Sequence, residues 1–234
     1  MNDSTKALDI AYYSDLLCVW AYVAQIRLDE LKANFKEKIE ITPYHVTLFG
    51  DTQKRMDSGW SDRGGYDGFS EHVLNVCSEF PHLEINPQVW KSCKPTTSGT
   101  AHLFLKAVDL LEQDNQVNSP SEEDKHQLLK KVEWAFRLAF FRDARDISDL
   151  NVLFDIADQF SIPAEDIQRY INNGTAMAKF CSELAMKELY KLDGSPTYLF
   201  NNKRQKLFGN VGYKILEANV AELLVSSDGH ASWC

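Results

Sequence analysis

The sequence predicts an α/β fold: one small sheet assembled from both ends of the chain, interrupted by a large all-helical insertion. Three observations predict it. Residues 1–49 read strand, helix, strand; residues 50–190 show helical periodicity with little strand character; and strand patterning returns at residues 191–234 before a last helix. The two outer segments are expected to form one domain and the middle segment another.

Leu8 to Tyr13 is an apolar stretch that reads as a buried strand. From Trp20, apolar residues recur at Ala24, Leu28, Leu31 and Phe35, a helical stripe closed by the solvent-facing Lys36, Glu37 and Lys38. Ile39, Ile41, Tyr44, Val46 and Leu48 then largely alternate with polar residues until Gly50-Asp51 ends the run. Two strands joined by a helix favour parallel neighbours and a right-handed crossover.

A polar loop rich in Gly, Asp and Arg follows, from Asp51 to Gly68. Helical periods then run through Phe69, Val73, Val76 and Phe80; through Leu103, Ala107, Leu110 and Leu111; and through Leu128, Val132, Ala135 and Ala139. Asn115 to Pro120 reads as a loop between helices, and Ser121 with Asp124 has capping-box-like spacing. Ser148 is expected to cap a run through Leu150, Leu153, Ala157 and Phe160. Pro163 opens the next helix, Asn173-Gly174 stops it, and Thr175 starts a long one reaching about Tyr190. Asp193-Gly194-Ser195-Pro196 is a tight turn into a hairpin, with Thr197 to Phe200 outward, Asn201-Asn202-Lys203 at the tip and Lys206 to Phe208 returning. A terminal helix takes in Tyr213, Ile215, Leu216, Val220, Leu223 and Leu224, and residues 226–234 read as a frayed tail.

Composition narrows the function. The chain has 25 Lys+Arg against 34 Asp+Glu, a net charge of −9, and no basic run longer than two, which argues against nucleic acid or an anionic membrane as main partner. No stretch approaches 18 uninterrupted apolar residues and the first residues lack the order of a secretory signal, so a cytoplasmic protein is expected. Five cysteines (Cys18, Cys77, Cys93, Cys181, Cys234) are odd in number, widely spaced and without a C-x-x-C pair, so reduced thiols and no metal site are expected. Gly64, Gly65 and Gly68 follow no apolar strand and do not make a phosphate loop, and no G-x-S-x-G elbow occurs.

Cys18 is the residue best placed for chemistry. It lies between the end of the first strand and the first turn of a helix, where free N–H groups and the positive end of the helix dipole favour thiolate over thiol. The plain alternative is a small buried apolar residue. Ser195-Pro196 is the second feature. A proline entering a strand marks an edge, a first residue or a cis turn, and a cis turn would free the Ser195 backbone to pair with an extended ligand.

Ser14-Asp15-Leu16-Leu17-Cys18-Val19-Trp20-Ala21-Tyr22 at a strand-to-helix junction, with Gly194-Ser195-Pro196-Thr197 opening a later strand, resembles the DsbA-like thioredoxin family. In particular it resembles the FrnE-type oxidoreductases and their relatives, the 2-hydroxychromene-2-carboxylate isomerases and kappa-class glutathione transferases. Pro95-Thr96-Thr97-Ser98 with Ala101-His102, and Phe140-Phe141-Arg142-Asp143-Ala144-Arg145-Asp146-Ile147, resemble that family's helical insertion, so the similarity spans nearly the whole chain. The resemblance implies a thioredoxin-like fold, a site between sheet and helices, Pro196 in cis, and Cys18 as catalytic residue. It also implies a small thiol or disulfide substrate, no tightly bound cofactor and glutathione as cosubstrate, with Asp15, Ser195, Pro196 and Asn210 among the contacts.

The departures matter as well. Where FrnE-type members have C-P-W-C, this chain has Cys18-Val19-Trp20-Ala21, so the local resolving thiol is missing and a mixed disulfide must be released by an external thiol. The isomerases and kappa transferases usually carry Ser at the position of Cys18, and Asn210-Val211 stands where they have an Asn/Ser-Asp pair. Three activities are therefore expected in turn: a single-cysteine thiol-disulfide oxidoreductase, a glutathione-dependent isomerase or transferase, and a non-catalytic thiol or peptide binding module.

Trp20 and Tyr22 are expected to wall the pocket, and His102, Trp60 and Arg63 to reach a substrate from the helical side. His45 reads as a satisfied, half-buried imidazole. Cys77 and Cys181 fall on or beside apolar helix faces and read as core; Cys93 is in a loop. Cys234 is a candidate distant resolving thiol for Cys18. Oligomeric state is left open, a homodimer included.

Overall fold

The computed structural model describes residues 7–118, 126–201 and 203–225. Strand β1 (Leu8–Ser14) runs into helix α1 (Val19–Phe35) and returns as β2 (Ile39–His45), parallel to β1 in register from Leu8 opposite Ile39 to Ser14 opposite His45. On the other flank of β1 lies antiparallel β3 (Thr197–Phe200), followed by antiparallel β4 (Gln205–Phe208), so the sheet order is β2-β1-β3-β4. The first strand in sequence is therefore interior to the sheet. That explains why Ile10 to Tyr13 are apolar without alternation, because both faces of the strand are covered there.

Helices α1 and α9 (Tyr213–Val225) cover one face through Ile10, Tyr12, Leu28, Leu31, Tyr198, Phe200, Leu216 and Val220. The opposite face packs Ala11, Tyr13, Val46 and Leu199 against Leu192 and, from α8 (Thr175–Leu189), Met186. Between the two parts of the sheet come α2 (Thr52–Gly59), α3 (Gly65–Ser78), α4 (Gly99–Asn118), α5 (Gln127–Phe141), α6 (Leu150–Asp158), α7 (Ala164–Asn172) and then α8. The mixed α/β core flanked by a large helical cluster matches the fold class expected from sequence.

Helix α1 joins the two halves. Its last turns, with Leu28 and Leu31, pack on the sheet, whereas Val19, Ala21, Tyr22 and Val23 belong to the larger apolar cluster with Phe69, Trp90, Phe104, Phe136 and Phe140. The first turns are consequently buried nearly all round, and a single amphipathic stripe describes α1 poorly.

Three local expectations need correction. The polar stretch 51–68 is not all loop: Asp51 caps α2 by accepting the Lys54 N–H at 2.9 Å, but only Thr52 and Met56 of that helix are buried, too few to print a period. Helix α4 continues to Asn118, through much of the loop expected from Asn115. Helix α6 is capped by Asp149, which accepts the Asn151 N–H at 2.9 Å, and Ser148 instead donates to Asp146. Helix α5 starts at Gln127 after His126, while Ser121 and Asp124 lie outside the described residues. The tail 226–234 also lies outside them.

Gly68, in the first turn of α3, is a glycine that the packing requires. A Cβ at this position would stand 1.7 Å from the Arg63 carbonyl oxygen, so only glycine permits that approach. Gly68→Ala is expected to cost about 1–3 kcal/mol of unfolding free energy. Chemical denaturation measures this, and an unchanged midpoint would contradict the packing.

Candidate active site

The site is built on the turn that links β1 to α1. Asp15 is fully buried, and its carboxylate gathers four donors. Oδ1 accepts the Leu17 N–H at 2.9 Å, and Oδ2 accepts the N–H groups of Leu48 (2.8 Å) and Phe49 (2.9 Å) and the Ser98 hydroxyl (2.9 Å). The Asp15 N–H donates to Ser195 Oγ at 2.9 Å, which ties this turn to the one preceding β3. His102 Nε2 accepts the Leu16 N–H at 3.2 Å, so the ring is neutral with its proton on Nδ1. Burial is the main reason that the His102 pKa falls well below the usual range, with His45, Lys106 and Arg137 adding to it.

These bonds explain the segment Pro95 to His102. Thr52 donates through its hydroxyl to the Pro95 carbonyl (2.7 Å) and through its N–H to that of Thr96 (3.2 Å). The Ser98 N–H reaches the Phe49 carbonyl at 2.9 Å, and the Ser98 carbonyl accepts the His102 N–H at 3.0 Å. The whole segment docks α4 onto the site turn.

Cys18 is the N-cap residue of α1, with extended backbone and a free thiol. Its Sγ donates to the Ser195 carbonyl at 3.2 Å, and the Ser195–Pro196 bond is cis. The Pro196 carbonyl in turn accepts the Gly209 N–H at 2.9 Å, fixing the turn to the far end of the hairpin. The helix-start position is as expected, but the expected thiolate bias is not what the surroundings give. Cys18 is only 6% exposed, and burial pushes its thiol pKa up. The Ser195 side chain and the Ala21 N–H pull the other way without overcoming that burial, Asp15 adds to the rise, and Arg137 opposes it.

The other candidates separate into residues near the sulfur and residues beneath or away from it. Ser195 and Pro196 are buried directly beside Cys18, and Trp20 is half-buried two positions on. Asp15 and His102 lie under the turn instead of lining an open surface, because their polar atoms hold neighbouring backbone. Tyr22 is core: its ring stacks on Phe141 at 4.5 Å and its hydroxyl donates to the Glu84 carbonyl. Asn210 is exposed, and its Oδ1 accepts from Arg27 at 2.6 Å. Trp60 and Arg63 pair with each other, guanidinium over ring at 5.5 Å, and Trp60 meets Phe69 rather than the Cys18 turn. His45 is fully buried, its ring 3.7 Å from Glu133 and 3.9 Å from Glu183.

Cys181 is exposed, contrary to the expected core position, because it points away from the packed side of α8; Cys77 and Cys93 are buried. Cys234 lies outside the described residues. No cluster of three or more His, Cys, Asp or Glu that could hold a metal occurs among the described residues, and none of their helices is long and apolar enough to cross a membrane.

Sequence reasoning missed Arg137, Glu133, Lys106 and Glu183, all buried on the insertion helices. Lys106 Nζ meets Glu183 Oε1 at 2.6 Å, Glu183 Oε2 accepts the His45 N–H at 2.8 Å, and Arg137 meets Glu133 at 2.8 Å. Burial would raise the Glu133 carboxyl, but His45 and Arg137 hold it down at about 2. The available signal was a pair of opposite charges four residues apart beside an apolar stripe.

No known family model and no curated protein matches this chain. Solved structures do match. A Nitrosomonas europaea protein provisionally classed as a protein disulfide isomerase superposes with a TM-score of 0.69 at 13% identity, over 95% of this chain and 100% of that one. The chain has a thioredoxin-like, DsbA-type fold. The same fold is seen in a 2-hydroxychromene-2-carboxylate isomerase (TM-score 0.64, 13% identity, 96% of this chain and 100% of that one). It is seen again in the cytosolic disulfide reductase DsbM of Pseudomonas aeruginosa, also solved with GSH (TM-score 0.64, 15% identity, 92% of this chain and 99% of that one). At such identities the likeness is one of fold.

In this thioredoxin-like frame, Asp15→Ala strips four buried donors of their acceptor. A loss of about 3 kcal/mol or more is expected, with Asp15→Asn retaining part of it. Thermal unfolding of the two variants checks this; equal and small shifts would show that the carboxylate is dispensable.

Proposed function

We propose that this protein is a thiol oxidoreductase working through Cys18 alone, with an external thiol such as glutathione as resolving partner. The observation that carries the reading is the Cys18 Sγ at the start of α1, 3.2 Å from the carbonyl that precedes cis-Pro196. The fold shared with a cytosolic disulfide reductase solved with GSH supports it. The Cys18 thiol loses its proton and attacks one sulfur of a disulfide. The S–S bond breaks, a Cys18 mixed disulfide forms, and the departing thiolate takes up a proton. An external thiol then attacks the substrate's sulfur in that mixed disulfide, returning Cys18 as a thiol and leaving as a new disulfide.

In the resting state the thiol hydrogen occupies the Ser195 carbonyl. Once Cys18 ionises or is derivatised, that carbonyl is released to accept an N–H from an extended substrate. Trp20, half-buried, and Asn210, exposed beside Arg27, are the contacts assigned to the bound thiol compound. Sheet-bearing segments 1–49 and 191–234 supply the sulfur and the cis turn, and the 50–190 insertion covers them. The expected cellular setting is reducing cytoplasm, with small thiols or disulfides as partners.

A second reading has its own support. A buried thiol that donates a hydrogen bond and resists ionisation suits a positioning role, in which bound glutathione supplies the reacting sulfur for an isomerisation or transfer. The isomerase with this fold is consistent with it.

The two readings diverge on one substitution. Under the first, Cys18→Ser abolishes glutathione-dependent disulfide reduction, a loss of several orders of magnitude; under the second, the variant turns over at close to the native rate. The raised thiol pKa sets a further expectation. Because the thiolate fraction grows about tenfold per pH unit below the pKa, alkylation of Cys18 by iodoacetamide keeps accelerating through pH 9. A plateau reached by neutral pH would contradict it.

A further inference from the structure

Helix α5 reaches the active-site turn through one side chain. The Arg137 guanidinium is buried; Nη1 donates to the carbonyls of Asp15 (3.0 Å) and Leu16 (3.4 Å), and Nη2 to Ser14 Oγ and Glu133 Oε1, both at 2.8 Å. A single cation thus holds three consecutive residues, the last of them two positions before Cys18. Burying a guanidinium is costly, and a well-packed apolar side chain often serves stability as well or better. The turn is also already fixed by the Asp15 carboxylate, by His102 and by Ser195. What the guanidinium adds beyond shape is positive charge.

Positive charge is what the sulfur's surroundings otherwise lack. Among the groups that face Cys18, Asp15 from the turn is an anion that disfavours thiolate, and Arg137 from α5 is the cation opposing it. Tyr12 of β1 and Tyr198 of β3 also feel the sulfur, but burial keeps both phenols protonated and neutral. Around Arg137 itself stand Glu133 on its own helix, Tyr12 on β1, and His102 of α4, which is neutral. Glu133 shares its Oε1 with the guanidinium and so offsets part of its field; His45 of β2 lies on its other side.

We propose that Arg137 is a positioning residue for Cys18: it clamps the Ser14 side chain and the Asp15 and Leu16 carbonyls and presents the charge that draws the sulfur toward its anion, while Glu133 limits how much of that charge the sulfur meets. This rests on the reading that Cys18 is the reacting group. It gives the helical insertion a part in the chemistry, since the tuning cation and its counterion both come from α5.

The test is the pH dependence of Cys18 alkylation in the full chain, followed on the Cys18 peptide by mass spectrometry. Arg137→Met is expected to raise the midpoint, Arg137→Lys to leave it near the native value, and Glu133→Gln, which frees more of the Arg137 charge, to lower it. A structural role alone would lower stability in all three without moving the midpoints in opposite directions. Should Arg137→Met fail to fold, Glu133→Gln decides the matter, because its amide oxygen can still accept from Arg137. A midpoint unmoved in Glu133→Gln, or in folded Arg137→Met, overturns the proposal. Midpoints that move as expected while Cys18→Ser keeps full turnover leave Arg137 its role and sink the oxidoreductase reading instead. Native Cys18 that is unreactive at every pH overturns both.

Discussion

The carboxylate of Asp15 is the constraint on which the rest of the site depends. Fully buried, it collects N–H groups from its own turn and from the Leu48–Phe49 segment, and the Ser98 hydroxyl from just ahead of α4. Its backbone N–H holds the Ser195 side chain, and its carbonyl accepts from Arg137. Four parts of the chain distant in sequence thereby converge on one residue, three positions before the sulfur. An anion in such a place is tolerable only because both of its oxygens accept hydrogen bonds, one at Oδ1 and three at Oδ2. Even so, burial outweighs those bonds and leaves the Asp15 pKa raised.

From that hub follows the tension at Cys18. A helix N-terminus contributes about 0.3–1 kcal/mol toward a nearby anion, less than one pKa unit in most settings. Burial can shift a group by several units. The packing that fixes Cys18 against the cis turn therefore also keeps it a thiol. Its reactivity has to come from what relieves burial or adds positive charge. In the proposed reading, a substrate N–H that takes over the Ser195 carbonyl removes the partner of the thiol form, and Arg137 supplies the positive charge.

Much of the fold was legible because it rests on local signals. The largely apolar stretch from Leu8 to Tyr13 shows a covered strand, the Asp193–Pro196 turn shows the return to sheet, and the Asn173-Gly174 stop falls where α7 ends. Helix α2 was not legible, since it buries only two residues and its polar sequence resembles a loop. At the site, Cys18 and Ser195-Pro196 could be singled out because each sits at a junction between elements. The burial of Cys18 could not be read, because it depends on which faces of the helical insertion pack over α1. The same ignorance placed His102 on a substrate surface when it holds the Leu16 N–H from below, and put Cys181 in the core when it is exposed. Arg137 lay beside an apolar stripe in a helix whose register against β1 no periodicity reveals.

The account stands most directly on whether Cys18 accepts a sulfur. Incubating the folded protein with oxidised glutathione, and mapping adducts by peptide mass spectrometry, should place a glutathionyl group on Cys18 that rises with pH and is removed by reduced glutathione. The exposed Cys181 serves as internal reference for simple accessibility. An adduct that forms on Cys181 while Cys18 stays free at every pH would contradict the account.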